Sequence, residues 1–215
     1  MLPQRSLAMT FVENHIYLAS RSPRRQELLK QIGVDFMVLP LREALPRIPD
    51  VDETPLPHEP PQEYVERIAR AKAETGRMRV SERGWTGFPV LGADTAVVLN
   101  GRIFGKPQNS AHAKEMLRTL SGQVHEVLTA VAVATGNGTR INLSRSSVWF
   151  RNISDLEISH YLSCGEAYDK AGAYAIQGRA AVFISEISGS YSGVVGLPLF
   201  ETAQLLEESG IRIFQ

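Results

Sequence analysis

The chain has 215 residues, one cysteine and no formal net charge, with lysine plus arginine equal to aspartate plus glutamate at 23 each. This balance implies no general polyanion-binding surface and disfavours nucleic acid as a bulk partner, and the lone Cys164, with no Cys or His cluster around it, provides neither a disulfide nor a structural zinc site. No apolar run approaches the roughly 18 residues of a membrane helix, so the expectation is one large domain or two small lobes in a reducing cytoplasm, with no membrane partner.

Residues 1–14 read as a loose extension, and residues 15–215 as a single domain with two lobes. A strand is expected over 16–19. Ser22 as N-cap, Pro23 in the first helical position, an apolar stripe at Leu28, Leu29 and Ile32 and a stop at Gly33 then define a helix. Its first turn holds Arg24 and Arg25, where the helix dipole makes positive charge unfavourable by a few tenths of a kcal/mol each. A bound anion reverses that sign, since backbone N–H groups and two guanidinium forks make a phosphate site. The alternative is a solvated basic turn. Residues 41–61 are proline-rich and charged, as expected of an irregular, partly mobile loop.

A helix is expected over 61–78 with Tyr64, Ile68, Ala69 and Ala71 facing inward. Residues 90–99 form a strand, Asn100-Gly101 a two-residue hairpin turn, and 102–104 its return. A helix over 111–120 repeats Ala113, Met116, Leu117 and Leu120 before Gly122. Residues 125–134 and 139–150 form a hairpin around Gly136-Asn137-Gly138. Ser154 and Glu157 match a capping box opening a short helix that closes at Gly165. A glycine-bearing loop spans 169–178, a strand 181–187 and a last helix 198–209. Strand and helix patterns alternate, but with hairpins among them, so the fold class is α/β with a mixed sheet flanked by helices.

Several side chains stand where chemistry would want them. Asp94 lies in an apolar strand and must find a cation, a metal or several donors. It is either a buried aspartate paired with one arginine or a metal ligand or general base at a sheet edge. Lys72 comes four residues after Ile68, so it either snorkels past the apolar face or aims into a site. Lys106 leaves a strand between Gly105 and Pro107, which fixes its direction. Asp50, Asp52 and Glu53 form an acidic group in the proline-rich loop, either solvated or completing a Mg²⁺ site with Asp94 and substrate phosphate oxygens. In the 169–178 loop, Tyr174 can pack on a base, and the Gln177 amide matches the imide edge of uracil or thymine.

Together, the segments LASRSPRRQELL (18–29), ARAK (69–72), LGADT (91–95), GKP (105–107), DKAGAY with IQG (169–174 and 176–178) and GSYSGVVGLP (189–198) resemble the Maf family of nucleoside triphosphate pyrophosphatases, from residue 16 to about 206. The resemblance implies an elongated fold like that of inosine triphosphate pyrophosphatases, a site in a cleft between two lobes, and a homodimer. It implies hydrolysis of a nucleoside triphosphate to the monophosphate and pyrophosphate, with Mg²⁺ or Mn²⁺ as divalent cofactor. Asp94 would accept a proton or bind metal, with Glu53 helping to hold the metal. Arg24, Arg25, Lys72 and Lys106 would hold the triphosphate, Ser20 and Ser22 would add hydroxyl contacts, and Arg24, Thr95 and Gln177 would select the base. That last combination resembles the dTTP and UTP subgroup. The alternatives are a 7-methyl-GTP-type enzyme and a non-catalytic nucleotide-binding regulator of septum formation.

Overall fold

The computed structural model describes residues 14–42, 50–85 and 87–214; most of the expected N-terminal extension and part of the proline-rich loop lie outside them. Strand β1 (His15–Leu18) pairs in parallel with β2 (Asp35–Val38) on one side and with β3 (Val90–Leu99) on the other. The remaining pairs are antiparallel: β4 (Arg102–Phe104) on β3, β5 (Val124–Thr135) on β3, β6 (Gly138–Phe150) on β5, and β7 (Ile184–Ser188) on β6. The result is a seven-stranded mixed sheet in the order β2-β1-β3-β5-β6-β7, with β4 also on β3.

The register of β3 opens a gap along one of its edges. There β1 accompanies β3 only to Leu91 and β4 joins only at Val97, whereas β5 pairs with it on the other edge from Val90 to Val98. Among the described residues, Gly92 to Ala96 therefore pair with β5 alone. This five-residue stretch of free edge contains Asp94 and Thr95.

Helix α1 (Pro23–Gln31) buries Leu28 and Leu29 against one end of the sheet. Helix α2 (Pro61–Glu82) is four residues longer than the sequence suggests, and its inward face is Val65, Ile68, Ala69, Ala73, Gly76 and Val80. Tyr64 and Ala71, expected inside, are only half-buried. The true stripe mixes small residues at i, i+4 and i+7, and an apolarity count undervalues Ala and Gly. Their smallness has a purpose, since a Cβ on Gly92 would stand 2.6 Å from Ala73 N and 2.7 Å from Ala69 O. The backbones of β3 and α2 touch there.

Helices α3 (Ser110–Leu120) and α4 (Asp155–Ser163) fall where the apolar periodicity and the capping box put them. Asn109 caps the first, and Ser154 with Glu157 closes the box on the second. Asn100 and Gly101 turn the β3–β4 hairpin with φ of 51° and 78°, as a type I′ turn requires. Two expectations change. The strand expected over 181–187 begins only at Ile184, after a 3₁₀ turn over Arg179–Phe183. A short helix, α5 (Tyr191–Val195), precedes α6 (Leu199–Glu208), and the sequence pattern gave no sign of it.

Adding the missing methyl at Gly92 forces α2 off β3. Gly92→Ala is expected to cost about 1–3 kcal/mol, the scale of core overpacking. Urea unfolding checks this, and an unchanged midpoint would contradict the close approach.

Candidate active site

Val90, Gly92, Asp94, Ala96 and Val98 alternate onto the face of β3 that α2 covers, with Ala96 and Val98 packed on Val65, Ala69 and Ala73. Contact at Gly92 places Lys72, one residue before Ala73, beside Asp94. Lys72 Nζ lies 2.8 Å from Asp94 Oδ1 and 2.8 Å from Glu53 Oε1. Lys72 thus aims inward; its side chain is 15% exposed, against 11% for Asp94 and 44% for Glu53. Asp94 is paired with a lysine, where the sequence left open an arginine.

The electrostatics are set by this bridge. Burial raises the Asp94 pKa above its ordinary 3.8, and the opposing pull of Lys72 and Arg25 does not cancel it. For Lys72 burial acts downward, but Asp94 and Glu53 outweigh it and hold the ammonium charged. Burial also works against the Glu53 carboxylate, yet Lys72, with Lys106 and Arg25 at longer range, holds its pKa below the usual value. Lys106 is exposed, near enough to act on Glu53 by charge. Of the acidic group, only Glu53 reaches the site. Asp50 is buried between Arg42 and Arg79, and Asp52 accepts from the Thr54 N–H at 2.9 Å.

Thr95 points to the opposite face, where Arg25 meets it. Arg25 donates from Nε to the Gly196 carbonyl (2.7 Å), from NH1 to Ser20 Oγ (3.3 Å) and from NH2 to Thr95 Oγ1 (3.3 Å). Thr129, opposite Thr95 in the β5 register, lies 2.8 Å from the Gly193 carbonyl and 3.0 Å from Thr95 Oγ1. Thr129 donates to both oxygens, so Thr95 Oγ1 accepts from Arg25 on one side and from Thr129 on the other. Thr95 therefore orients Arg25, a use the sequence did not suggest, and the Gly-Ser segment 189–198 provides the carbonyls.

The first turn of α1 departs from expectation in two ways. Ser22 occupies the N-cap position, but its side chain makes no capping bond, while its N–H donates to Ser20 Oγ at 3.2 Å. Arg25 does not simply oppose the dipole of its own helix, because it also binds the carbonyl that ends α5. Arg24 is half-buried, and this burial lowers its pKa against the opposing charge of Asp169.

Tyr174 does not stand where a base could stack on it. It is 5% exposed, its hydroxyl 2.9 Å from His125 Nε2 and its ring edge-on to Phe150 at 4.8 Å. The 169–178 loop is rich in small residues, but its one aromatic ring fastens it to the sheet while Ala173 before it takes a left-handed φ of 60°. Gln177, three residues on, is exposed. Thus Glu53, Lys72 and Asp94 come into direct contact, and Ser20, Arg25 and Thr95 form a second group around the free edge. Arg24 faces Asp169 at the loop that carries Gln177, and Tyr174 belongs to the core.

A sequence profile of the Maf-like protein family matches residues 15–209. A Nitrosospira multiformis protein named dTTP/UTP pyrophosphatase is 86% identical over 207 residues, covering 96% of this chain and 100% of its own. A Nitrosomonas europaea protein of the same name is 61% identical over 201 residues, covering 94% and 97%. Among solved structures, the Staphylococcus aureus Ham1 protein aligns with a TM-score of 0.43 and 19% identity over 63% of this chain and 71% of its own.

Lys72→Met leaves the Asp94 carboxylate buried without its cation and is expected to lose about 3 kcal/mol of stability at pH 7. Because the Asp94 pKa would rise further, the neutral acid forms at milder pH and the loss shrinks as pH falls. Urea unfolding at pH 7 and pH 5 reads the difference; an equal loss at both would separate Asp94 from Lys72.

Proposed function

The chain belongs to the Maf-like protein family, and we propose that it hydrolyses dTTP and UTP to the monophosphate and pyrophosphate. The observation that carries the reading is the Glu53–Lys72–Asp94 bridge at the free edge of β3. The names and identities of the relatives support the substrate class. Water attacks the α-phosphorus, the new P–O bond forms as the bond to the bridging oxygen of the β-phosphate breaks, and pyrophosphate leaves.

Asp94 takes the water's proton and later returns it to solvent. Lys72 holds Oδ1, and the other oxygen, without a partner among the described residues, is the one that accepts. A pKa raised by burial makes this carboxylate a stronger base than a solvated aspartate. Lys72, Lys106 and Arg25 counter the charge that spreads over the phosphoryl oxygens, an effect strengthened where water is excluded. Ser20 and Ser22 lie beside the α1 terminus to contact the phosphates. Arg24 and Gln177 choose the base, with Thr95 acting through Arg25.

Two carboxylates converging on one cation suit a divalent metal. Where Asp94 binds metal instead of taking the proton, it would hold Mg²⁺ or Mn²⁺ together with Glu53, and substrate oxygens would complete the shell. When bound, the metal neutralises phosphate charge. We place this chemistry in the cytoplasm, in a domain whose lobes flank the free edge of β3.

Pyrophosphate release from a nucleotide panel tests the reading. Asp94→Asn is expected to lose at least about 10²-fold in turnover, the scale of a missing general base; near-normal turnover with lost thermal stability would make the aspartate purely structural. The parent protein is expected to prefer dTTP and UTP over CTP by about tenfold or more, since a mismatched buried polar edge costs about 1–3 kcal/mol. Equal kcat/KM for CTP and UTP would remove Gln177 from base choice, and a preference for 7-methyl-GTP would overturn the substrate assignment.

A further inference from the structure

Glu53 is the most exposed member of the bridge, and its carboxylate has only Lys72 as a direct partner among the described residues. Something other than packing on its side chain must set where it stands. The backbone on both sides of it is held from α2. Arg67 donates from NH1 to the Asp52 carbonyl (3.4 Å) and from NH2 to the Thr54 carbonyl (3.0 Å). Tyr64 donates its hydroxyl to the Glu53 carbonyl (3.0 Å). Three consecutive carbonyls are thus bound by two side chains one and two turns before Lys72.

The same guanidinium forks onto Glu59, Nε to Oε1 at 2.5 Å and NH2 to Oε2 at 2.8 Å, and Glu59 Oε2 accepts from the Leu56 N–H at 3.0 Å. Residues 52–59 are thereby closed into a strap with Arg67 at its centre. Arg67 also lies over the Tyr64 ring, 5.6 Å from its centroid, so the two anchors brace each other.

We propose that Arg67, seconded by Tyr64, is a positioning residue that seats the 52–59 strap on α2 and so delivers Glu53 to Lys72. Arg67 touches neither Lys72 nor Asp94, and acts only through the backbone that carries Glu53. The inference rests on the proposed activity, in which Glu53 contributes to turnover. Planarity matters here, because a fork that serves a carboxylate and two carbonyls at once cannot be replaced by the point charge of a lysine.

The test is a double-mutant cycle on kcat for dTTP in the full chain. Arg67→Gln is expected to lower kcat by about ten- to a hundredfold, the scale of a misplaced catalytic group, and, because it leaves the buried Glu59 carboxylate without its fork, to lower the urea midpoint as well. Arg67→Lys recovers only part of this, and Tyr64→Phe, which removes one hydroxyl, shows a smaller loss in the same direction. The decisive arm is Arg67→Gln placed on Glu53→Gln, where it should add nothing, since its only route to turnover has gone. A full additional loss in that background would overturn the proposal, as would an unchanged kcat in Arg67→Gln alone. If Glu53→Gln itself turns over like the parent, the failure lies in the proposed role of Glu53, and the inference falls with it.

Discussion

Everything in this site depends on how closely one helix can approach one strand. Gly92 lets the backbone of α2 rest on β3, and Ala69, Ala73 and Gly76 keep the facing side of the helix low enough to reach it. That contact, and not any local preference of lysine or aspartate, brings Lys72 within 2.8 Å of Asp94 across 22 residues of sequence. The same interface holds Tyr64, Arg67 and Lys72 along one helix, which therefore carries the cation and the anchors of the strap that brings the second carboxylate.

The edge of the sheet sets the other boundary. β1 stops pairing at Leu91 and β4 starts at Val97, and the chain leaving β1 turns into α1 beside the gap. The free edge leaves backbone groups and side chains of both faces of β3 within reach of one ligand: Asp94 from the face under α2, Thr95 from the face that meets Arg25. A lysine kept charged between two carboxylates offsets the burial of Asp94 without abolishing its raised basicity, so in the proposed chemistry the proton acceptor and the phosphate-binding cation would stand a hydrogen bond apart.

Much of this was legible in the sequence, and the exceptions share a cause. The β3–β4 hairpin, the capping box of α4 and the two arginines at the start of α1 all obey short-range rules, and all stand where those rules put them. Asp94 was visible because a carboxylate in an apolar strand demands a partner. Tyr174 was misread because a polar, glycine-bearing loop gives no local sign that one of its rings reaches His125 on a distant strand. Thr129, the Gly193 and Gly196 carbonyls and the Arg67 strap were invisible for a related reason: each acts through backbone groups, which carry no sequence signature. Asp50 shows the converse, a residue of the right type whose arginine partners, Arg42 and Arg79, keep it out of the site.

Central to the proposed chemistry is that burial beside Lys72 leaves Asp94 a stronger base than a solvated aspartate. This can be read directly by taking the Asp94 carboxyl carbon through a pH titration by NMR in the nucleotide-free protein. The expected midpoint lies above 3.8, the ordinary value for aspartate. A midpoint at or below it would mean that the ion pair outweighs burial, and that Asp94 is a locked structural anion instead of a proton acceptor.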